Sequence, residues 1–130
     1  MPPRRSSQRR EEHKAVVNKL CHFEIGVRDQ AKAEKFYSNV FDWKMEPKPS
    51  MTMIRTGDDV GGHFNTLGHE PHNYVLFYVM VDDIAATIKK VEAAGGKKIV
   101  GPVPEGEGNT FAWVADPEGN VIGLYTERKK

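Results

Sequence analysis

Two polar side chains alternate with apolar ones between residues 20 and 27, and they are the pair in this sequence best suited to chemistry. His22 and Glu24 are two positions apart, so a β-strand would place both on one face and the apolar residues of the segment on the other. An imidazole beside a carboxylate can order a sheet as a buried hydrogen-bonded pair, bind a ligand, or transfer protons. We keep all three interpretations, with Glu24 as the general acid or base in the third.

The sequence on either side of this pair predicts helices that follow short strands. Asp29 and Asp83 are suited to cap helix N-termini. Apolar residues after each aspartate recur at the spacing of an amphipathic helix, and Gly95 with Gly96 would end the second helix. The remaining apolar segments alternate as strands do.

This order of elements occurs twice along the chain. Aligning His22–Asp29 with Leu76–Asp83 brings Phe, Val and Asp into register. The predicted strands are Leu20–Val27, Trp43–Glu46, Met51–Thr56 and Val60–Asn65 in the first half, and Leu76–Val81, Lys97–Val100, Thr110–Ala115 and Asn120–Thr126 in the second. Each half therefore has the order βαβββ, which indicates an internal repeat.

Four segments of the sequence together resemble a known superfamily. They are HFEIGVRDQAKAEKFYSNVFDWK, VGG at Val60–Gly62, VDDIAATIKKVEAAGGK and ADPEGNVIGLY. In this order they are similar to the vicinal oxygen chelate superfamily, also called the glyoxalase, bleomycin-resistance and extradiol-dioxygenase superfamily. The resemblance implies an α+β fold in which two βαβββ modules form an open, cup-shaped mixed β-barrel with the helices outside, often within a homodimer.

The same resemblance suggests how the chain is divided. We expect residues 1–14 to be a flexible basic tail, and residues 15–130 to form a single glyoxalase/bleomycin-resistance-like domain. Its modules would span about residues 16–66 and 73–127. Known members include isomerases, dioxygenases, epimerases, thiol transferases and antibiotic-sequestering proteins, so the fold does not imply one reaction.

In metal-dependent members of the superfamily, four positions facing the cup hold a divalent cation with His or Glu side chains. The matching positions here are His22, Gly62, Leu76 and Gly123. Glycine and leucine supply no ligand atom, which leaves His22 alone among the four. The resemblance therefore implies a member that lacks the usual metal centre, and we predict no cofactor.

Strand phases and the family positions together suggest which residues line the cup beside His22 and Glu24. The predicted ligand-binding set is completed by Gly62, Phe64, Leu76, Tyr78, Met80, Gly123 and Tyr125. His63 is out of phase with Gly62, so we expect it to point away from the cup. The glycines would either relieve strand curvature or leave room for a bulky ligand.

Two further segments lie between the predicted strands. His69 and His72 flank a proline between the modules and are interpreted as exposed linker residues. The glycine- and proline-rich stretch from Gly101 to Asn109 is expected to be a surface loop or a mobile flap.

Composition argues against several classes of partner. The chain has a formal net charge of +1, and because the first 14 residues are basic, the rest of the chain is slightly acidic. We therefore do not expect nucleic acid as a partner. The longest apolar run, Tyr74–Val81, is too short for a membrane helix of about 20 residues. The single cysteine, and basic N-terminal residues without a long apolar stretch after them, favour a cytoplasmic setting.

Taken together, these features favour a small-molecule-binding protein whose ligand is held in the cup by His22 and Glu24. The alternative is a lyase or isomerase of the same superfamily that uses Glu24 to move a proton, with or without help from a metal. A third interpretation is a protein-interaction scaffold. We also expect a homodimer, because the edges of an open sheet are usually paired or covered.

Overall fold

The structure is a computed structural model that describes residues 18–57, 59–66, 73–106 and 108–127. The predicted basic tail over residues 1–14, and the two linker histidines His69 and His72, lie outside the described residues. The chain divides into two compact units. Among the described residues, one unit is Cys21–Tyr78, and the other consists of residues 18–20, 79–106 and 108–127.

Eight strands and two helices occur in the described part of the chain. In chain order they are β1 Leu20–Gly26, α1 Gln30–Phe41, β2 Lys44–Lys48, β3 Met51–Arg55, β4 Gly61–Asn65, β5 Tyr74–Met80, α2 Ile84–Ala93, β6 Lys97–Glu105, β7 Asn109–Ala115 and β8 Val121–Thr126. The order is βαβββ followed by βαβββ, with both parallel and antiparallel strand pairs. The predicted α+β class with two βαβββ modules is confirmed.

In the Cys21–Tyr78 unit, the strands lie in the order β2-β3-β4-β1-β5. Strands β1 and β4 are parallel, and their register places Phe23 opposite Gly62 and Glu24 opposite His63. Strand β3 pairs antiparallel with β2 on one side and with β4 on the other. Strand β1 is therefore an interior strand with a neighbour on each side.

The core of this unit lies on the apolar face of β1. Its buried residues are Ile25, Val27, Ile54 and Phe64, and side chains packed against them include Phe23, Tyr37 and Trp43. The ring of Tyr37 on α1 lies parallel to that of Trp43, with the ring centroids 5.6 Å apart. The predicted packing of the apolar face of β1 beneath the first helix is confirmed.

Both helices begin where the sequence indicated. The Asp29 side chain accepts a hydrogen bond from the backbone N–H of Lys32 at 3.0 Å, and Asp83 accepts one from Ala86 at the same distance. Each carboxylate thereby satisfies one backbone donor that the first helical turn leaves unpaired. The two capping aspartates therefore fix where α1 and α2 start.

The second unit packs α2 against its own strands. Ile84 and Ile88 on the helix are buried with Ala112 and Val114 of β7 and Leu124 of β8. The strands lie in the order β8-β7-β6, and both of their pairings are antiparallel. The apolar positions that predicted an amphipathic second helix thus form the core of this unit.

The prediction of a surface loop or flap from Gly101 to Asn109 is wrong for the first half of this segment. Strand β6 continues to Glu105, with Val103 paired to Phe111 of β7. The register shifts between Val100 and Val103, where Gly101 has a φ of +88°. Glycine adopts this conformation without steric cost, so a bulge lets the strand continue through a Gly-Pro sequence that would otherwise end it.

Strand β4 contains a glycine that the packing requires. A Cβ on Gly62 would lie 2.5 Å from the ring of Phe23, closer than two carbon atoms can approach. The missing side chain of Gly62 is therefore the space that the Phe23 ring occupies. Neither strand curvature nor a ligand is needed to explain this glycine.

We predict that Gly62→Ala destabilises the protein by about 1–3 kcal/mol, because the methyl group overpacks the core against Phe23. Chemical denaturation would measure the loss. In a Phe23→Ala background the ring is gone, so the same change at Gly62 should cost much less, which a double-mutant cycle would show. Equal costs in the two backgrounds would contradict the assigned role of this glycine.

Candidate functional site

The carboxylate of Glu24 is buried and lies at the centre of a polar cluster in the Cys21–Tyr78 unit. Its exposure is 3%. The Tyr78 hydroxyl donates to Oε1 at 2.7 Å, and His63 Nε2 lies 3.3 Å from the same oxygen. The Tyr74 hydroxyl donates to Oε2, and the Asn65 amide donates to it at 3.3 Å. Two donors per oxygen satisfy the acceptor capacity of an ionised carboxylate.

These donors come from the two strands that neighbour β1. His63 lies opposite Glu24 in the parallel register with β4, and Asn65 follows two residues later on the same face. Tyr74 and Tyr78 lie on one face of β5, four residues apart. The cluster is therefore built from three adjacent strands, and the middle strand carries the carboxylate.

The environment of Glu24 favours its charged form. Burial by itself would raise the pKa of this carboxyl, but the hydrogen bonds from His63, Tyr74 and Tyr78 outweigh burial and lower the pKa to about 2. Burial and the nearby carboxylate raise the pKa of the Tyr74 phenol, so this tyrosine remains a neutral donor. Glu24 is consequently an anion throughout the physiological pH range.

His63 connects Glu24 to His22. Its Nε2 faces the carboxylate, and its Nδ1 lies 2.7 Å from Nε2 of His22. The two imidazole rings have their centroids 4.9 Å apart and are inclined by 29°. Carboxylate, first imidazole and second imidazole thus form an unbranched chain of hydrogen-bonding atoms.

His22 is the outer member of this chain and is only partly buried. Burial, and then repulsion from His63 when that ring is protonated, lower the pKa of His22 to about 4, although Glu24 acts in the opposite direction. The His22 ring is therefore neutral near pH 7. Its Nδ1 has no hydrogen-bond partner within the described ranges.

The structure brings together three of the predicted site residues, namely His22, Glu24 and Tyr78. The prediction for His63 is wrong, because this side chain is on the Glu24 face. Phe64 is correspondingly on the opposite face, where it is completely buried in the core. The error in phase came from placing Gly62 on the cup side, whereas its Cβ position points toward the Phe23 ring in the core.

The remaining predicted site residues lie on β5 and β8. Leu76 is buried on β5, between Tyr74 and Tyr78 along the strand. Met80, Gly123 and Tyr125 belong to the other unit, where Gly123 pairs with Trp113 and Tyr125 pairs with Phe111. Contact of these four residues with a ligand stays a prediction.

Sequence reasoning missed Tyr74, Asn65 and the true orientation of His63. Tyr74 was detectable, because it shares the two-residue phase of Tyr78 along β5. For His63 and Asn65 the signal was the pairing of β1 with β4, which a single sequence does not reveal. Their identification therefore required the tertiary structure.

The side chains of the cluster differ from the metal centre that the superfamily implies. No group of three or more His, Cys, Asp or Glu side chains that could hold a metal ion occurs among the described residues. The Glu24 oxygens already accept four hydrogen bonds, and His22 Nε2 and His63 Nδ1 face each other at 2.7 Å. These residues do not fit a divalent cation, which needs several directed lone pairs.

Comparison with known proteins identifies the family of the chain. A family model described as Glyoxalase/Bleomycin resistance protein/Dioxygenase superfamily matches residues 19–124. A "Glyoxylase-like domain-containing protein" of Didymella fabae is 31% identical over 127 residues, which cover 85% of this chain and 95% of that protein. A "Probable lactoylglutathione lyase" of Vibrio cholerae is 28% identical and covers 86% of this chain and 93% of that protein.

Solved structures show the same fold. Methylmalonyl-CoA epimerase from Mycobacterium tuberculosis superposes with a TM-score of 0.64 at 15% identity, covering 88% of this chain and 91% of the epimerase. A hypothetical protein from Bacillus halodurans superposes with a TM-score of 0.66 at 20% identity, covering 86% of this chain and 96% of that protein.

Neither helix in the described ranges has the length and apolar character needed to cross a membrane.

We predict that Glu24→Gln lowers the free energy of unfolding by about 3 kcal/mol near neutral pH, because a carboxylate stabilised by four donors is replaced by an amide that must donate as well as accept. The folded pKa of Glu24 is below its unfolded value, so its contribution is present above about pH 4.5 and is lost as the pH falls toward 2.

Denaturant titrations of both proteins at several pH values would measure this difference. The gap between wild type and Glu24→Gln should narrow between pH 5 and pH 2. The matched control is Cys21→Ser on the other face of β1, which should show a gap independent of pH. A constant gap for Glu24→Gln would mean that the carboxylate is not held in its charged form.

Proposed function

We propose that this chain, which belongs to the Glyoxalase/Bleomycin resistance protein/Dioxygenase superfamily, binds a small organic molecule at the His22 end of the Glu24 cluster. The observation that carries the proposal is the chain of atoms from Glu24 through His63 to His22. It ends at a ring nitrogen without a partner in the described part of the protein. In ligand sites a small number of precisely placed polar groups fix the orientation of the ligand.

The roles of the two predicted residues differ in this proposal. His22 makes the contact with the ligand. Glu24 does not, because its four acceptor positions already receive hydrogen bonds and its exposure is only 3%. The carboxylate instead holds His63, and through it the His22 ring, in one orientation. Ordering the contact group before the ligand arrives reduces the entropic cost of binding.

The expected consequence is that His22→Phe weakens binding while the fold is retained, since phenylalanine fills the same space without an acceptor nitrogen. A fragment library screened by NMR against ¹⁵N-histidine-labelled protein would identify ligands that perturb His22. For each of them, His22→Phe should weaken affinity at least about tenfold, the value of one hydrogen bond.

Cys21→Ser is the matched control, because it changes the adjacent residue of β1 and should leave affinity within about twofold. Fragments that bind equally well to His22→Phe and to wild type would refute the assignment. Perturbation of the remaining histidines without His22 would refute it as well.

A second candidate is the lyase or isomerase activity that the names of relatives suggest, among them the Vibrio cholerae protein named as a probable lactoylglutathione lyase. In this version Glu24 is the weaker base, because its pKa is about 2, whereas that of His22 is about 4. The proton acceptor is therefore His22 Nδ1. The proton it gains is stabilised by hydrogen bonding through His63 to the Glu24 carboxylate.

Incubation of the protein with glutathione and methylglyoxal, followed by mass spectrometry of the lactoylglutathione formed, would test this second function in its favourable direction. If the chain is such a lyase, wild type forms the thioester and His22→Phe is slower by about 100-fold or more, as expected when a general base is removed. Cys21→Ser should retain the wild-type rate. Equal rates with and without protein would rule out this substrate.

A further inference from the structure

The direction of the hydrogen bonds in the cluster determines what His22 can offer a ligand. Glu24 is ionised and can only accept, so His63 must carry its proton on Nε2. A neutral imidazole with a proton on Nε2 has a lone pair on Nδ1. While His63 carries a single proton, on Nε2, the 2.7 Å contact between its Nδ1 and His22 Nε2 requires the shared proton to be on His22 Nε2.

From this geometry we infer that Glu24 is a positioning residue that fixes the tautomer of His22, so that His22 Nδ1 is a hydrogen-bond acceptor selecting ligands that present an O–H or N–H group. The inference rests on the proposed function for the existence of a ligand. It adds the chemical class of the ligand group that meets His22.

The direction of the hydrogen bond between the two imidazoles determines whether His22 Nδ1 donates or accepts. If His63 were turned so that it donated to His22, then His22 would present Nδ1–H and would select a carboxylate or carbonyl oxygen. That arrangement would direct the Nε2 lone pair of a neutral His63 at the Glu24 anion, with no proton between the two atoms. The burial of Glu24 makes this arrangement costly, because a buried charge that loses a donor is not compensated by water.

The titratable groups that face the two imidazoles support the same direction. They are Glu24 on β1 and the phenols Tyr74 and Tyr78 on β5, and both phenols donate to the carboxylate. The Tyr78 ring centroid lies 6.0 Å from that of His22. Because both phenols direct their protons at the carboxylate, these hydrogen bonds of Glu24 all run toward its oxygens.

The tautomer can be measured on the ligand-free protein. At about pH 8, where an ordinary imidazole is neutral, long-range ¹H–¹⁵N spectra of ¹⁵N-histidine-labelled protein distinguish a protonated from an unprotonated ring nitrogen. We expect His22 and His63 each to show a protonated Nε2 and an unprotonated Nδ1. A protonated Nδ1 on His22 would overturn the inference, whether or not any ligand binds.

Two variants separate positioning from simple packing. In His63→Gln the amide oxygen can accept from His22 Nε2–H and the amide nitrogen can donate to Glu24, so the His22 tautomer should be preserved. In His63→Leu both bonds are lost, so His22 Nε2–H should exchange with water at least tenfold faster and a fraction of Nδ1–H should appear. Identical His22 spectra in the two variants would overturn the positioning role.

Phenol, anisole and benzoate then test the ligand class on the same labelled protein. Phenol donates a hydrogen bond, anisole is the same ring without the donor, and benzoate only accepts. We expect phenol to shift His22 Nδ1 and to bind at least tenfold more tightly than the other two. Tighter binding of benzoate at His22 would overturn the inferred class. If none of the three shifts His22 while the tautomer is as stated, the positioning role stands and the proposed ligand contact fails.

Discussion

A buried carboxylate that keeps its charge is the constraint on which the Cys21–Tyr78 unit depends. Removing Glu24 from water costs several kcal/mol unless hydrogen-bond donors replace the lost hydration. The structure supplies these donors as two phenols, one amide and one imidazole, which lie on the strands flanking β1. The net effect is a pKa lowered to about 2, which shows that the donors more than compensate for burial. Strands β4 and β5 therefore contact β1 through side-chain hydrogen bonds to Glu24 as well as through backbone pairing.

One face of β1 packs in the core and the other carries the candidate site, and both depend on the register that Gly62 permits between β1 and β4. On the apolar face, the ring of Phe23 lies where a side chain on Gly62 would be, so β4 can align with β1 in the observed register. On the polar face, the same register places His63 opposite Glu24. A residue with a Cβ at position 62 would push against the Phe23 ring and disturb both faces. The packing of the core thus bears directly on the geometry of the candidate site.

Membership of the superfamily explains the fold of the chain, whereas the chemistry of the candidate site depends on its own residues. The His22–His63–Glu24 arrangement commits the lone pairs of the carboxylate to donors and directs one histidine at the other. A directed acceptor on His22 follows from these bonds, whereas a divalent cation does not fit them. Relatives with glyoxalase or lyase names share the fold and a quarter to a third of the sequence. The fold alone does not decide between binding and proton transfer, because both use a well-positioned histidine.

The repeat of βαβββ modules, the two capping aspartates and the division of β1 into an apolar and a polar face could be predicted from the sequence. These features depend on periodicity and on residues close together in the chain, which a single sequence contains. The sequence also predicted that His22, Glu24 and Tyr78 belong to one site. The positions of His63 and Asn65 facing Glu24, and of Phe64 in the core, could not be predicted in this way. Those facts depend on the register of β1 against β4, two strands separated by α1 and a hairpin, and a shift of one residue in that register reverses every side chain.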